Sequence, residues 1–191
     1  MTARTIITGA SGGMGAAAVE ALSAQGIPVL MACRNLEKAG TVRHCILGKN
    51  PSADIEIRFL DLASLSSVRA FAASLAAGEV SALFNNAGVI SRGYHLTGDG
   101  LENTFSVNYF GPWLLSRLLL PKLPDDARIV NMVSLTCGMV PFHSVSLRPE
   151  KKDFSQLGTY ARSKRALLSF SMELARRYPA LRVNMADPGI V

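Results

Sequence analysis

The sequence is poor in the residues that build metal sites and disulfide frameworks. Its three cysteines (Cys33, Cys45, Cys137) and three histidines (His44, His95, His143) stand singly along the chain. No pair has metal-ligand spacing, so no metal site and no disulfide scaffold is expected. A reducing, cytoplasmic setting is the simpler expectation from such cysteine usage. Charge is sparse too: 18% of residues are charged and 49% hydrophobic, which excludes a disordered chain. There is no signal-peptide pattern, because a strand-like run begins by Arg4 and reaches Gly9 almost at once. No apolar run is long enough to cross a bilayer; the best, residues 113–120, is short and carries Arg117. Repeats, low-complexity tracts and linkers are also lacking. The 191 residues therefore read as a single domain, 1–191, with no membrane span.

What charge there is sums to +6. The basic residues are scattered, with small groups at 148–152 and 162–165, and lack the clustered face with interleaved aromatics that nucleic acid needs. No nucleic-acid partner is expected. A polyanionic cofactor suits the excess better.

Short apolar runs alternate with helical patterns. Strands are expected near residues 5–7, 27–33, 54–60, 80–84, 128–134 and 181–185. Helices are expected over 16–25, 36–47 (stopping at Gly48), 64–76, 100–120 and 156–178, with a break at Gly111-Pro112 because proline lacks the N–H donor. Near-continuous apolar strands alternating with helices predict an α/β fold, a parallel sheet covered on both faces and doubly wound. Residues 135–154 form the least regular stretch, and so long a loop is often functional.

The first strand leads into Thr8-Gly9-Ala10-Ser11-Gly12-Gly13-Met14-Gly15 and then a helix. Glycines there permit positive φ and close backbone approach, and the helix N-terminus presents free N–H groups to a pyrophosphate. The spacing is T-G-x-x-x-G-x-G. Further along come Asn85-Asn86-Ala87-Gly88 after the fourth strand, Asn108 in the long helix, and Ser134 ending the fifth strand. Tyr160 and Lys164 then form Y-x-x-x-K, and Pro188-Gly189 follows the sixth strand. This ordered set resembles the short-chain dehydrogenase/reductase family. The stretches Ala32-Cys33-Arg34-Asn35, Asp61-Leu62-Ala63-Ser64-Leu65 and Asp99-Gly100-Leu101-Glu102 resemble its branch of retinol dehydrogenases, the WW-domain oxidoreductase and protochlorophyllide reductase.

The resemblance implies a three-layer Rossmann fold with strand order 3-2-1-4-5-6, the family's seventh strand and substrate lid lying beyond Val191. It assigns catalysis to Asn108, Ser134, Tyr160 and Lys164. It assigns cofactor binding to Gly9, Ser11, Gly13, Met14 and Gly15, then Arg34 and Asn35, Asp61 and Leu62, Asn86, Ala87 and Gly88, Tyr160 and Lys164, and Pro188 and Gly189. Val133 replaces the family's usual serine before the catalytic one. The helices carrying Asn108 and Tyr160 imply a homodimer.

Two expectations come from the residues themselves. An acidic residue after the second strand would repel a 2′-phosphate, whereas Arg34 offers it a charged planar fork, with Lys38 and Arg43 adding charge; NADP(H) is expected over NAD(H). Tyr160 and Lys164 lie one helical turn apart, so the lysine is expected to lower the phenol's pKa and make it a general acid/base. The expected activity is carbonyl–alcohol interconversion on a small, hydrophobic substrate. A non-catalytic NADP-binding sensor or scaffold, or an inactive fragment of a longer reductase, is the alternative. Cys137, three residues past Ser134, is expected to pack or to line the pocket; His44, His95 and His143 read as isolated structural or surface residues, with His143, in the long loop, the one placed for a substrate contact.

Overall fold

The computed structural model describes residues 3–141 and 146–189. In chain order the first half holds β1 (Arg4–Thr8), α1 (Gly13–Ala24), β2 (Val29–Cys33), α2 (Leu36–Lys49), β3 (Ile55–Phe59), α3 (Leu65–Ala73) and β4 (Val80–Asn85). There follow α4 (Asn103–Phe105), a π-helical segment (Ser106–Phe110), α5 (Gly111–Leu119), β5 (Arg128–Met132), a 3-10 turn (Leu135–Met139), α6 (Gln156–Arg177) and β6 (Arg182–Ala186). The six strands are parallel and ordered β3-β2-β1-β4-β5-β6.

The strand composition follows from burial on both faces. All five residues of β2 are buried, as a central strand between two helical layers requires. Successive residues point to opposite faces. Ile7 and Met31 pack with Val19, Ala39 and Ile46 beneath α1 and α2. Ile6 and Leu30 pack on the other face with Val68, Phe71, Leu115, Leu119 and Leu174. Each such side chain, fully buried, contributes roughly 1.5–3 kcal/mol. The edge strand β3 instead alternates charge, and its Arg58 pairs with Glu79, as suits a strand with one open side.

Helix starts match local signals. Asn35 caps α2 by accepting from Lys38 N, Ser64 caps α3 by accepting from Ser67 N, and Glu102 caps α4 by accepting from Phe105 N. Two expectations need correction. The second helix does not stop at Gly48; it runs to Lys49 and ends at Asn50, which precedes Pro51 and is thereby pushed out of the helical region. The helix expected over 100–120 is broken one turn earlier than Gly111-Pro112. Its π segment covers Ser106–Phe110, and α5 then begins with Pro112 in its first turn, where a missing N–H costs nothing. Among the described residues no helix is long and apolar enough to cross a membrane.

Gly111 lets α5 sit against the loop after β3. A Cβ there would lie 2.8 Å from Leu62 O and 2.9 Å from Leu62 Cβ. Gly111→Ala should lower stability by about 1–3 kcal/mol. Gly48→Ala, where nothing lies within 4 Å, should raise it by about 0.5–1 kcal/mol. Urea midpoints of the two variants check the contrast.

Candidate functional site

The strand order reverses between β1 and β4, so the loops leaving these two strands lie side by side. They are lashed together. Thr8 Oγ1 accepts from Ala87 N at 3.0 Å and donates to Phe84 O at 3.3 Å, and Asn86 Nδ2 donates to Thr8 O at 2.9 Å. Gly9 has φ +65°, and a Cβ there would meet Ala87 Cα at 2.9 Å. A Cβ on Gly15 would lie 2.5 Å from Gly9 O and 2.8 Å from Asn86 Nδ2. Packing therefore demands glycine at both positions. Gly13 differs, for a Cβ there meets nothing within 4 Å. Helix α1 starts at Gly13 with no side-chain cap and no acidic residue in its first turn, so its end N–H groups face open space.

A cleft of about 450 Å³ opens along this switch point. It is lined by Gly9, Ser11, Gly13, Met14 and Gly15 of the turn, by Arg34, Asn35 and Lys38, by Asp61 and Leu62, and by Asn86, Ala87 and Gly88. All of these except Lys38 are residues to which the resemblance assigned cofactor binding. Arg34 and Lys38 are exposed, and among the described residues neither side chain has a hydrogen-bond or ion-pair partner. Arg43 is turned away, its Nε donating to Ile55 O at 2.8 Å. The helix geometry puts it toward β3, so the charge expected from it does not reach the cleft. Asp61 Oδ1 accepts from Ala63 N, and Asn35 is occupied as a cap. Cys33 lies beneath the turn against Ser11, its thiol pushed up by burial.

Gly88 joins the cleft to the second cluster. A Cβ on it would approach Lys164 Nζ at 3.3 Å and Asn108 Oδ1 at 3.5 Å. Asn108 is fully buried in the π segment. Its Oδ1 accepts from Val89 N at 2.8 Å, and its Nδ2 donates to Val89 O and to Ser163 Oγ, both at 3.0 Å. Both of its N–H groups and one acceptor site of Oδ1 are engaged, and the side chain clamps the loop after β4 to α6. Lys164 is 3% exposed. Its Nζ donates to Met132 O at 2.7 Å and stands 5.7 Å from the centroid of the Tyr160 ring. Ser134 accepts from Thr136 N and Thr136 Oγ1 and also hydrogen-bonds Tyr160.

The electrostatics depart from expectation. Burial pushes the Tyr160 phenol up; the Ser134 hydrogen bond acts downward, and Cys137 and Asp187 act upward. Lys164 does not lower it, because burial drives the lysine itself down, to about 8. Two neighbours of the pair were not assigned a role by sequence: Ser163, which receives Asn108, and Asp187. Cys137 is buried beside the pair. Pro188 and Gly189 lie in the loop after β6 and do not line the cleft. His44 and His95 line neither cluster, and His143 falls outside the described residues. Among the described residues no cluster of His, Cys, Asp or Glu could hold a metal.

A buried lysine with a depressed pKa costs stability wherever it stays charged. The unfolded chain binds the proton up to the ordinary 10.5, the folded one only to about 8. Stability should therefore rise as pH climbs from 8 to 10.5, and the full cost, on the order of 3 kcal/mol, is present below 8. Lys164→Met removes the charge and loses a hydrogen bond worth about 1 kcal/mol. The variant should be more stable than the parent at pH 7 and lose that advantage above pH 10. Urea melts across this range measure the crossover.

Comparison with known proteins agrees with this geometry. Residues 3–191 match the short chain dehydrogenase family. Human retinol dehydrogenase 13 is 37% identical over 193 residues, covering 97% of this chain and 58% of its own length. Human retinol dehydrogenase 11 is 40% identical, covering 97% and 60%. The chain thus spans about three-fifths of the length of these curated relatives. Among solved structures, an uncharacterised protein from Mycobacterium paratuberculosis superposes with a TM-score of 0.86 at 35% identity, covering 98% of this chain and 69% of that one. A short-chain dehydrogenase from Sphingobium yanoikuyae, solved with NADPH, shares the fold with a TM-score of 0.79 at 21% identity, covering 98% and 71%. The chain belongs to the short chain dehydrogenase family, on its retinol dehydrogenase branch.

Proposed function

We propose that this chain is an NADP(H)-dependent oxidoreductase interconverting a carbonyl and an alcohol, with Tyr160 as the proton donor and acceptor. The observation that carries the proposal is the convergence of Ser134, Tyr160 and Lys164 just beyond Gly88, where the phosphate-binding cleft ends. The cleft fits a dinucleotide. Gly13 lines the cleft and a Cβ on it would meet nothing within 4 Å, which suits backbone approach by a pyrophosphate. Arg34 and Lys38 are two unpartnered cations at the cleft wall, suited to a 2′-phosphate. Lys38 thereby joins the cofactor-binding set.

When bound, the nicotinamide supplies the hydride, leaving orientation and proton handling to the chain. Tyr160, with its phenol pushed up, holds its proton at neutral pH and can donate it to a carbonyl oxygen gaining charge. Ser134 offers a hydroxyl already fixed by Thr136, so it can stabilise that oxygen without reorganising. Lys164 places a buried positive charge beside the phenol, and Met132 O keeps its stem in position. Asn108 acts through structure, registering the loop after β4 on α6.

A binding-only role is the second reading. It is favoured by one feature: the cleft ends at Gly88 and Val89 and does not take in Ser134 or Tyr160. We also propose a homodimer. Between α5 and α6 lies a groove of about 590 Å³ lined by Tyr109, Trp113, Phe170, Arg117 and Glu173. Such an apolar floor with charges of both signs suits a second copy of the same surface.

NADPH should bind at least tenfold more tightly than NADH, and Arg34→Glu should erase the preference, since a charge-assisted bond is worth roughly 1.5–3 kcal/mol. Nicotinamide fluorescence titration measures both. Tyr160→Phe should reduce turnover of a carbonyl substrate by about 10²–10⁴-fold while leaving NADPH affinity within about twofold. Turnover retained in that variant sinks the catalytic reading; NADPH binding with no turnover in the parent supports the binding-only one. Trp113→Glu should convert the dimer to monomer in light scattering, and a monomeric parent refutes that arrangement.

A further inference from the structure

Ser134 opens the 3-10 turn Leu135–Met139, which packs against α6, the helix carrying Tyr160. Its backbone is extended, with φ −158° and ψ 149°, and its carbonyl accepts from Cys137 N at 2.9 Å. One residue meets its side chain twice. Ser134 Oγ accepts from Thr136 N at 3.3 Å and from Thr136 Oγ1 at 3.0 Å. A hydroxyl oxygen has two lone pairs and one proton. Thr136 fills both lone pairs, so the proton is the only hydrogen-bonding capacity that Ser134 has left, and it points away from Thr136.

The hydrogen bond between Ser134 and Tyr160 thereby acquires a direction. Ser134 has no lone pair with which to accept, so it donates and the phenol oxygen accepts. The phenol's own proton stays free for a carbonyl oxygen. Donation runs one way, from Thr136 through Ser134 to Tyr160, and hydroxyls chained in one direction polarise one another. In the proposed reaction only the Tyr160 proton leaves its oxygen; Thr136 and Ser134 keep theirs.

We infer that Thr136 is a positioning residue: by filling both acceptor sites of Ser134 Oγ it makes that hydroxyl a donor only, and so sets the direction of hydrogen bonding between Ser134 and Tyr160. Any non-proline residue at this place supplies the N–H. The second donor needs a hydroxyl, so the threonine side chain completes the pair. The inference rests on the proposed carbonyl–alcohol chemistry for its purpose, not for its measurement.

The test follows the ionisation of Tyr160 in the full chain labelled with 3-fluorotyrosine. The fluorine lowers the phenol's pKa and reports it by ¹⁹F resonance, and loss of one signal in Tyr160→Phe assigns it. The titrating groups that face Tyr160 are Lys164 on α6, Cys137 on the 3-10 turn and Asp187 after β6, and they are the same in every variant compared. Thr136→Val keeps the shape and the N–H and removes the hydroxyl. It should raise the Tyr160 midpoint by about 0.2–0.5 pH unit, because a less firmly held donor stabilises the phenolate less. Ser134→Ala should raise it at least as much, and Thr136→Val added to Ser134→Ala should change nothing more. Thr136→Ser, which keeps the hydroxyl, should hold the parent midpoint. In carbonyl reduction kcat should fall about three- to tenfold in Thr136→Val while the KM for NADPH stays within about twofold. An unchanged midpoint in folded Thr136→Val, or the same rise with Ser134 already replaced, overturns the inference. A parent without reductase activity whose midpoint still responds in this way removes the proposed function and leaves the role of Thr136 standing.

Discussion

Where the turn after β1 meets the loop after β4 there is no space for a side chain. Gly9 lies against Ala87, Gly15 lies against Gly9 and Asn86, and Thr8 bonds to both Phe84 and Ala87. This contact exists because the sheet order reverses there, which sends the helices after β1 and β4 to opposite faces and leaves a crevice between their starting loops. The uncapped N-terminus of α1 and the wall carrying Arg34 both open onto that crevice. If the contact were loosened, the cleft would lose its floor and Gly88 would no longer stand beside Lys164.

The second constraint is polar and buried. Asn85 donates to Ser116 Oγ and Asn131 Oδ1, and Asn131 donates to Ser171 Oγ. This ladder crosses from α5 through β4 and β5 to α6 with every member at or below 1% exposure. Hydrogen bonds in such surroundings are strong, and a misplaced partner is costly, so they select one register of helices on sheet. Asn85 and Asn131 immediately precede Asn86 and Met132, two residues that hold site groups. Asn108 makes a similar clamp one layer nearer the site. Precision at the catalytic cluster is thus inherited from buried amides rather than from the reactive residues.

The reactive residues themselves are held at a cost. Among the described residues Lys164 has no ion-pair partner in contact; it is buried, and its ammonium donates to Met132 O. A site that places a cation in so dry a position stores free energy that a more comfortable residue would release. That is also why the simple rule of a lysine lowering its neighbour's pKa fails here: burial disfavours the charged form of both groups, pushing the phenol up and the lysine down, to about 8.

The strand-and-helix alternation and the glycine turn were legible in sequence because each rests on local rules, and the sheet order because the motifs resemble those of a known family. Apolar runs mark strands buried on both faces, caps mark helix starts, and glycine spacing marks a turn that approaches a phosphate. The ordered N-N-A-G, Ser134 and Tyr160–Lys164 set named the family for the same reason, since each residue sits at a fixed place on a short element. Other features depend on elements distant in the chain. The π segment at Ser106–Phe110, the stop of α2 at Asn50, the diversion of Arg43 to Ile55 O and the clamping of Asn108 by Val89 and Ser163 all arise from packing partners far away in sequence. Sequence by itself determined the family motifs and the order in which they stand along the chain. Tertiary structure alone decided how they are held, because the burial of Lys164 and its anchorage on Met132 O are properties of the folded interior and have no local signature.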